Sequence, residues 1–307
     1  MSAPSELRQP AAVAEAATCM LCGGQRMLPH FGGAAAAPAD LRSAQAYRIT
    51  HSQRQLVSAV VRCADCGLVS LPLHGAAPVA YTDAADPYYL EQSTQRIANA
   101  HRLLSLIPAG GRLIDLGCAC GFLLVAARER GFFVQGVEMS AWASQHARDA
   151  FGLDVRTGTL EAAGLPPASY DAVVLADVIE HLTDPRRTLQ AIHRVLRPGG
   201  RLLLLTPDIG SALARVLGPR WWGLLDDHYF YFSRQTLRRF LGDEGFVVER
   251  ISALGRVFPL SHWVFKLAPY SRTLHAALAG ATRALRVDAL QIPINLGDQM
   301  ACVARKR

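Results

Sequence analysis

From about residue 92 to the end of the chain, short apolar runs alternate with segments whose apolar positions recur every three or four residues. That is the pattern of strands alternating with amphipathic helices. Segment 92–106 carries Ile97, Leu103 and Leu104 at helical spacing, with Ile107 just beyond, and Pro108 ends it. Strands are predicted at 112–116, 133–138, 154–157, 170–175 and 201–205, with helices at 121–129, 141–151 and 185–196. The run 201–205 is nearly all leucine, so both faces of its strand are predicted to be buried in a parallel sheet with helices on either side. Ser233 is a predicted N-cap, and 246–251 and 300–304 complete a seven-stranded, doubly wound α/β sheet. Between the last two strands, 254–295 is too long for an ordinary connection and predicts a helical cap insertion. Its Phe258, Leu260, Trp263, Val264, Leu267 and Tyr270 sit among basic residues.

The first ninety residues lack this rhythm. Residues 1–17 are rich in Ala, Pro and Ser and read as a tail. Two C-x-x-C knuckles follow, Cys19-Met-Leu-Cys22-Gly-Gly and Cys63-Ala-Asp-Cys66-Gly-Leu. Each places two thiolates on one turn, and the pair supplies the four ligands of a tetrahedral, structural zinc site with no open position for catalysis. A redox pair and unrelated buried thiols are the competing readings; the glycines after both pairs favour zinc. Residues 31–39 are Gly/Ala-rich and predict a loop, whereas 47–49 and 56–62 alternate as strands of a zinc ribbon would. A Pro/Gly/Ala linker leads to Tyr81 and Asp86-Pro-Tyr-Tyr-Leu90. The predicted division is therefore a zinc-binding module and linker over 1–90 and a second domain over 91–307.

Candidate chemistry concentrates where the first strand of that domain ends. In Asp115-x-Gly117-x-x-x-Gly121 the glycines permit a tight turn and close approach of backbone amides to a ligand. A dinucleotide fold wants G-x-G-x-x-G and a helix N-terminus facing pyrophosphate. Here an acid precedes the turn, where it would repel phosphate and attract an ammonium group. A second acid, Glu138, closes the next strand, placed to accept both hydroxyls of a ribose. The two acids together suit S-adenosylmethionine, which has an amino-acid end and a ribose but no phosphate.

With these residues the chain resembles the class I S-adenosylmethionine-dependent methyltransferases, whose sheet is Rossmann-like, and within them a group with a cysteine-rich N-terminal segment. The resemblance runs over about 95–307 through Asp115-Leu-Gly-Cys-Ala-Cys-Gly121, Gly136-Val-Glu-Met-Ser140, Tyr170-Asp-Ala-Val-Val-Leu-Ala-Asp-Val-Ile-Glu-His-Leu182, Leu196-Arg-Pro-Gly-Gly200, His228-Tyr-Phe-Tyr-Phe-Ser233 and Asn295-Leu-Gly-Asp298. Ala119 departs from it, since many relatives carry glycine there; alanine is small enough for the turn to be expected to survive. By match, Asp115 is expected near the methionine amino group, Gly117, Cys118 and Gly121 contribute backbone, Glu138 takes the ribose, and Met139 lies against adenine. Thr159 and Leu160 are expected at the adenine edge, with Asp177 also in the cofactor set. Cys118 and Cys120 read as small turn residues, and the tyrosines near residue 88 as a cofactor cover or as core.

Methyl transfer from a sulfonium is an in-line displacement, so alignment in a site that excludes water supplies much of the catalysis. An alcohol acceptor also needs a base or a metal for its proton. Strand 170–175 leads into Asp177-Val-Ile-Glu180-His181-Leu182. His181 is the first candidate base, His228 the second, and Glu180 joins them as a catalytic candidate. A helix-terminal structural role is the competing reading for His181. The pattern D-x-x-E-H also looks like the E-x-x-E-H of some metal-dependent O-methyltransferases, so a divalent ion held by Asp177, Glu180, His181 and His228 is a further alternative.

Composition narrows the setting. Half of the 307 residues are hydrophobic, yet no uncharged apolar run reaches the roughly 18 to 20 residues of a membrane span. The first eighteen residues lack the layout of a signal peptide, and a cytoplasmic protein is expected. Net charge is +7, and residues 254–307 hold eight Lys and Arg against Asp288 and Asp298. That excess could meet an anionic acceptor, nucleic acid or a membrane surface, or be a solvated face. No N-P-P-Y-type turn follows strand 170–175, and no basic strand is interleaved with aromatics, which argues against a nucleic-acid partner. The expected acceptor is a hydroxyl on a sugar, glycan or secondary metabolite, lipid-linked in one version. The sugar part, and a sugar C-methyltransferase as its alternative, come from the resemblance alone.

Overall fold

The computed structural model describes residues 18–31, 59–72, 81–82, 84–225, 227–268 and 270–307. The predicted tail, the low-complexity loop after Phe31, the strand at 47–49 and most of the linker lie outside these residues. The N-terminal part contributes β1 (Met27–Phe31), β2 (Val60–Cys63) and β3 (Val69–Ser70). Helices α1 (Pro87–Glu91) and α2 (Ser93–Leu104) lead into β4 (Gly111–Leu116), α3 (Phe122–Glu129), β5 (Phe132–Glu138), α4 (Ala141–Phe151) and β6 (Val155–Thr157). Next come β7 (Tyr170–Ala176), α5 (Pro185–Val195), β8 (Leu196–Pro207), α6 (Ala212–Leu217), β9 (Phe230–Tyr231), α7 (Arg234–Asp243) and β10 (Phe246–Ala253). The chain ends with β11 (Arg256–Pro259), α8 (Leu260–Phe265), α9 (Arg272–Ala284), β12 (Gln291–Ile294) and β13 (Gln299–Lys306).

Seven strands form the main sheet in the order β10-β13-β8-β7-β4-β5-β6. Six strands point the same way, and β13 alone is reversed, antiparallel to both β8 and β10. β4 is central: the chain builds outward through β5 and β6, then crosses back to β7 and β8, and ligands gather at such a reversal of strand order. The leucine run of β8 divides by alternation. Leu202 and Leu204 join Ile114, Leu189, Ile192 and Phe240 in one core layer, and Leu203 and Leu205 join Leu113, Leu103, Leu104 and Leu124 in the other. Helix α7 starts where Ser233 predicts, with its hydroxyl accepting from the Thr236 amide and Thr236 reaching back to the Ser233 amide.

The 254–295 insertion is not wholly helical: the antiparallel pair β11 and β12 closes its base, and α8 and α9 lie within it. Arg256-Val-Phe-Pro alternates too briefly for its strand to stand out among longer apolar segments.

The N-terminal strands do not stand apart. β1, β2 and β3 form an antiparallel sheet whose fourth strand is β9, so the first part of the chain pairs directly with the segment after His228. Cys19, Leu21, Val60, Leu68 and Val69 share the core layer of α5 and α7. Arg186 of α5 donates to the carbonyls of Met20 and Leu21, both at 3.3 Å, and pairs with the buried Glu244.

Candidate active site

Beyond Leu116 the chain turns into α3 through three residues in the left-handed region: Gly117 (φ +73°), Ala119 (φ +47°) and Gly121 (φ +84°). A Cβ at Gly117 would stand 2.7 Å from Val178, and one at Gly121 2.5 Å from Leu153. Ala119 holds its conformation at the cost a Cβ incurs there, so the turn survives without its middle glycine. The turn is also tied to the next strand, because the amides of Gly117 and Cys118 both donate to the Val137 carbonyl, at 2.8 and 3.2 Å. Gly136 lets the turn settle there, since a Cβ on it would meet the Cys118 Sγ at 2.6 Å. Cys118 and Cys120 are buried turn residues, as expected, and burial pushes both thiols up, Cys120 to about 12.

Both acids stand at the carboxyl edge of the sheet. Asp115 is 3% exposed, and among the described residues nothing hydrogen-bonds its carboxyl. Burial, then the nearby Glu138, drives its pKa well above the usual carboxylate range. Glu138 accepts from the amides of Ala119 (2.8 Å) and Ser140 (2.7 Å); burial raises it despite those bonds. Met139 is exposed beyond it. Thr159 caps the Ala162 amide at 3.3 Å, whereas the Leu160 side chain is buried in the core, so any cofactor contact from Leu160 would have to come from its backbone.

Two cavities meet at this edge. A cleft of about 120 Å³ is lined by Asp115, Gly117, Cys118, Tyr89 and Phe122, and a chamber of about 810 Å³ opens toward the insertion. Arg96, Asp177, Leu254, Arg256 and Phe258 line both. Asp177, left-handed at φ +55°, receives both 2.8 Å bonds of a bidentate pair with Arg256 on β11. Sequence reasoning missed Arg256 because its partner lies 79 residues away, and Arg96 because its i,i+4 contact with Gln92 says nothing of the cavities that the folded chain places beside it. The Arg96 guanidinium lies 3.6 Å over the Tyr89 ring and its buried Nε has no hydrogen-bond partner.

Glu180, His181 and His228 do come together on the chamber wall, each offering a ligand atom within 4.8 Å of the others. Glu180 is 1% exposed; one carboxyl oxygen accepts from the Thr206 hydroxyl at 3.0 Å, and the other is buried with no partner. Burial, opposed by His181 and reinforced by Asp177, pushes its pKa to about 7. Nδ1 of His181 lies 2.8 Å from the Asp227 carbonyl, and Nδ1 of His228 lies 3.0 Å from the Gly223 carbonyl. A carbonyl cannot donate, so each Nδ1 carries a proton, and in the neutral ring the lone pair is on Nε2. Burial, then His181, pushes His228 down to about 3. The four N-terminal sulfurs form the other metal-capable cluster among the described residues. Cys19 and Cys66 Sγ lie 3.4 Å apart, and Cys22 and Cys63 lie 3.6 Å apart.

A seven-stranded doubly wound sheet with a reversed last strand, and a glycine turn between two strand-end acids, define the class I S-adenosylmethionine-dependent methyltransferase class. The family model for a methyltransferase domain matches residues 88–251, just over half of the chain, and the chain belongs to that family. Similar proteins include the ubiquinone biosynthesis O-methyltransferases of Pseudomonas aeruginosa, 35% identical over 104 residues (32% of this chain, 45% of that one), and of Aeromonas salmonicida, 34% identical over 104 residues (32% and 43%). The chain thus matches less than half the length of these curated relatives. Among solved structures, it is similar to a Thermotoga maritima S-adenosylmethionine-dependent methyltransferase described as a possible histamine N-methyltransferase (21% identity, TM-score 0.49, 72% of this chain and 94% of that one). It is also similar to a geranyl diphosphate C-methyltransferase from Streptomyces coelicolor (17%, 0.47, 68% and 76%). Among the described residues no helix is long and apolar enough to cross a membrane.

The turn gives opposite predictions at two positions. Ala119→Gly relieves a left-handed alanine and should raise unfolding free energy by up to about 1 kcal/mol. Gly136→Ala forces a methyl against Cys118 and should lower it by about 1–3 kcal/mol. Urea denaturation checks both, and equal stability of the two variants would contradict this reading of the turn.

Proposed function

We propose that the protein methylates a hydroxyl oxygen of a small acceptor bound in the larger chamber. The observation that carries this is the convergence of Glu180, His181 and His228 on that chamber, beside the junction with the cofactor cleft. The O-methyltransferase names of the relatives favour oxygen as the nucleophile. They lend nothing to a sugar or glycan acceptor, which rests on the resemblance alone. A cytoplasmic setting and the absence of a nucleic-acid partner belong to the same reading.

In this account Asp115 takes the methionine ammonium, Arg96 faces the carboxylate, the amides around 117–121 border the methionine portion, and Glu138 takes the ribose hydroxyls. Met139 and Thr159, with the Leu160 backbone, border the adenine. Asp177 belongs here through Arg256: the ion pair pins the insertion across the two cavities and limits water between them. Glu180 is a stronger proton acceptor than His228, because a carboxyl near 7 ionises at working pH, whereas an imidazole near 3 is a weak base; His181 keeps its place as a candidate base beside it. That displaces His228 from the role of second base; its neutral ring orients the acceptor.

One observation favours a second reading of the same cluster. Both histidines spend Nδ1 on backbone carbonyls and present Nε2, and Glu180 has a buried oxygen without a partner; this is how metal ligands are held. Glu180, His181 and His228 fit a divalent ion, without Asp177, whose oxygens are occupied by Arg256. Such an ion supplies Lewis acidity toward the acceptor hydroxyl. Loss of turnover after chelation, with recovery on adding Mg²⁺ or Zn²⁺ and unchanged cofactor affinity, would select this reading; undiminished turnover would select proton transfer to Glu180.

The four N-terminal cysteines fit structural zinc. At a Zn–S distance of about 2.3 Å, tetrahedral sulfurs lie about 3.8 Å apart, close to the 3.4 and 3.6 Å separations here. The metal would act at a distance, since β3 pairs with β9 and the Leu71 amide donates to the Tyr229 carbonyl at 2.9 Å, next to His228. Cys63→Ser should abolish stoichiometric zinc and lower kcat at least about tenfold while cofactor Kd stays within about twofold. An unchanged kcat in zinc-free protein would remove this link.

Cofactor binding carries a pH signature. The Asp115 pKa is raised in the free protein, so its carboxyl holds a proton above its usual range; a bound ammonium and sulfonium lower that pKa again. Binding should therefore release protons, and affinity should rise with pH until Asp115 ionises unaided. Calorimetry in buffers of different ionisation enthalpy measures the release. Glu138→Ala should weaken cofactor binding at least about tenfold by removing both ribose acceptors. Unchanged affinity in that variant, or no proton release in the wild type, would count against the assignment.

A further inference from the structure

Two chemically different groups of residues line the chamber. One is Glu180, His181 and His228. The other comes from the insertion, Phe258, His262, Trp263 and Lys266, with Trp222 beside Lys266. Lys266, one of only two lysines in the chain, follows α8 and stands with its ammonium 5.8 Å from the centre of the Trp222 ring. Among the described residues no carboxylate lies within ion-pair distance of it. Arg256 is already neutralised by Asp177. Asp298, the acid that acts on Lys266 from further away, is engaged by the indole N–H groups of Trp222 at 2.7 Å and Trp221 at 3.4 Å.

The surroundings register the uncompensated charge. Burial pushes the Lys266 ammonium down, helped by Arg256. His262, stacked on Phe258 with ring centres 4.1 Å apart, is pushed to about 4 by burial and by Lys266, Arg256 and Arg96. A half-buried cation among aromatic rings, with no paired acid, is unfavourable unless a ligand brings the opposite charge.

Resting on the reading of this chamber as the acceptor site, we infer that the acceptor carries an oxyanion on a flat apolar body. The oxyanion pairs with Lys266, the body lies among Trp222, Phe258 and Trp263, and the hydroxyl to be methylated turns toward Glu180 and the two histidines. The volume of about 810 Å³ suits a molecule of that kind. A carboxylate and a phosphate monoester share the required chemistry.

Two fluorescent probes with the same body test the charge: 8-anilinonaphthalene-1-sulfonate, and N-phenyl-1-naphthylamine, which lacks the sulfonate. Full-length wild type, Lys266→Met and Lys266→Arg are titrated with each, and S-adenosylhomocysteine affinity is measured alongside. The wild type should bind the sulfonate about tenfold more tightly than the neutral probe. Lys266→Met should lose that preference while keeping its neutral-probe and S-adenosylhomocysteine affinities within about twofold, and Lys266→Arg should restore most of it. Displacement of the sulfonate by 1-naphthoate or by 1-naphthyl phosphate supports the inference, and the tighter competitor names the oxyanion; displacement by neither overturns it. Equal affinity for the two probes in the wild type, or a preference that survives Lys266→Met, also overturns it. If S-adenosylhomocysteine binds normally in those cases, only the oxyanion falls; if it does not bind the wild type, the cofactor reading falls as well.

Discussion

The parallel pairing of β4 with β5 is the constraint on which the rest of the site depends. It aligns Leu116 with Val137, so the two strands end together and Asp115 and Glu138 rise from the same edge. The pairing leaves little room at its centre, because a Cβ at Gly136 would stand under 3.0 Å from Cys118 and Leu124 and 3.1 Å from Val155. With that space kept clear, the turn after β4 lies against the end of β5 and its first amides bond to Val137. One residue without a side chain thus lets the turn and both acids lie along one edge of the sheet.

The second half of the site is assembled from further away. Glu180 and His181 follow β7, but His228 arrives on a segment held from both sides. The Tyr229 amide donates to the Glu180 carbonyl at 2.7 Å, and its carbonyl accepts from Leu71, on the chain that carries the cysteine knuckles. The N-terminal sheet, the histidine segment and the end of β7 are therefore one hydrogen-bonded unit. Arg256 reaches from the insertion to Asp177, and Phe258, Trp263 and Lys266 of the insertion line the same chamber.

Much of this was legible in the sequence because local physics writes it there. The leucines of β8, the helix of α4 and the N-cap at Ser233 follow from periodicity and capping over a few residues, and the structure has each of them. The glycine turn and its flanking acids were legible for the same reason. The pairs Asp177 with Arg256 and β3 with β9 were not, since each joins residues far apart in the chain, and a spacing rule sees only neighbours. The insertion carries helices α8 and α9, but the hairpin at its base does not stand out in the sequence, because its strands are four residues each, too short for alternation to outweigh the surrounding apolar content. In the sequence Lys266 is one charge in a basic tail; only the folded chamber shows that no carboxylate among the described residues lies within ion-pair distance of it.

The most direct test of the whole account is a crystal structure of the protein with S-adenosylhomocysteine. The account predicts the ribose hydroxyls on Glu138, the amino group at Asp115 and the sulfur pointing to the junction between cleft and chamber. A nucleoside bound elsewhere, or a dinucleotide phosphate lying over the turn at 117–121, would contradict it.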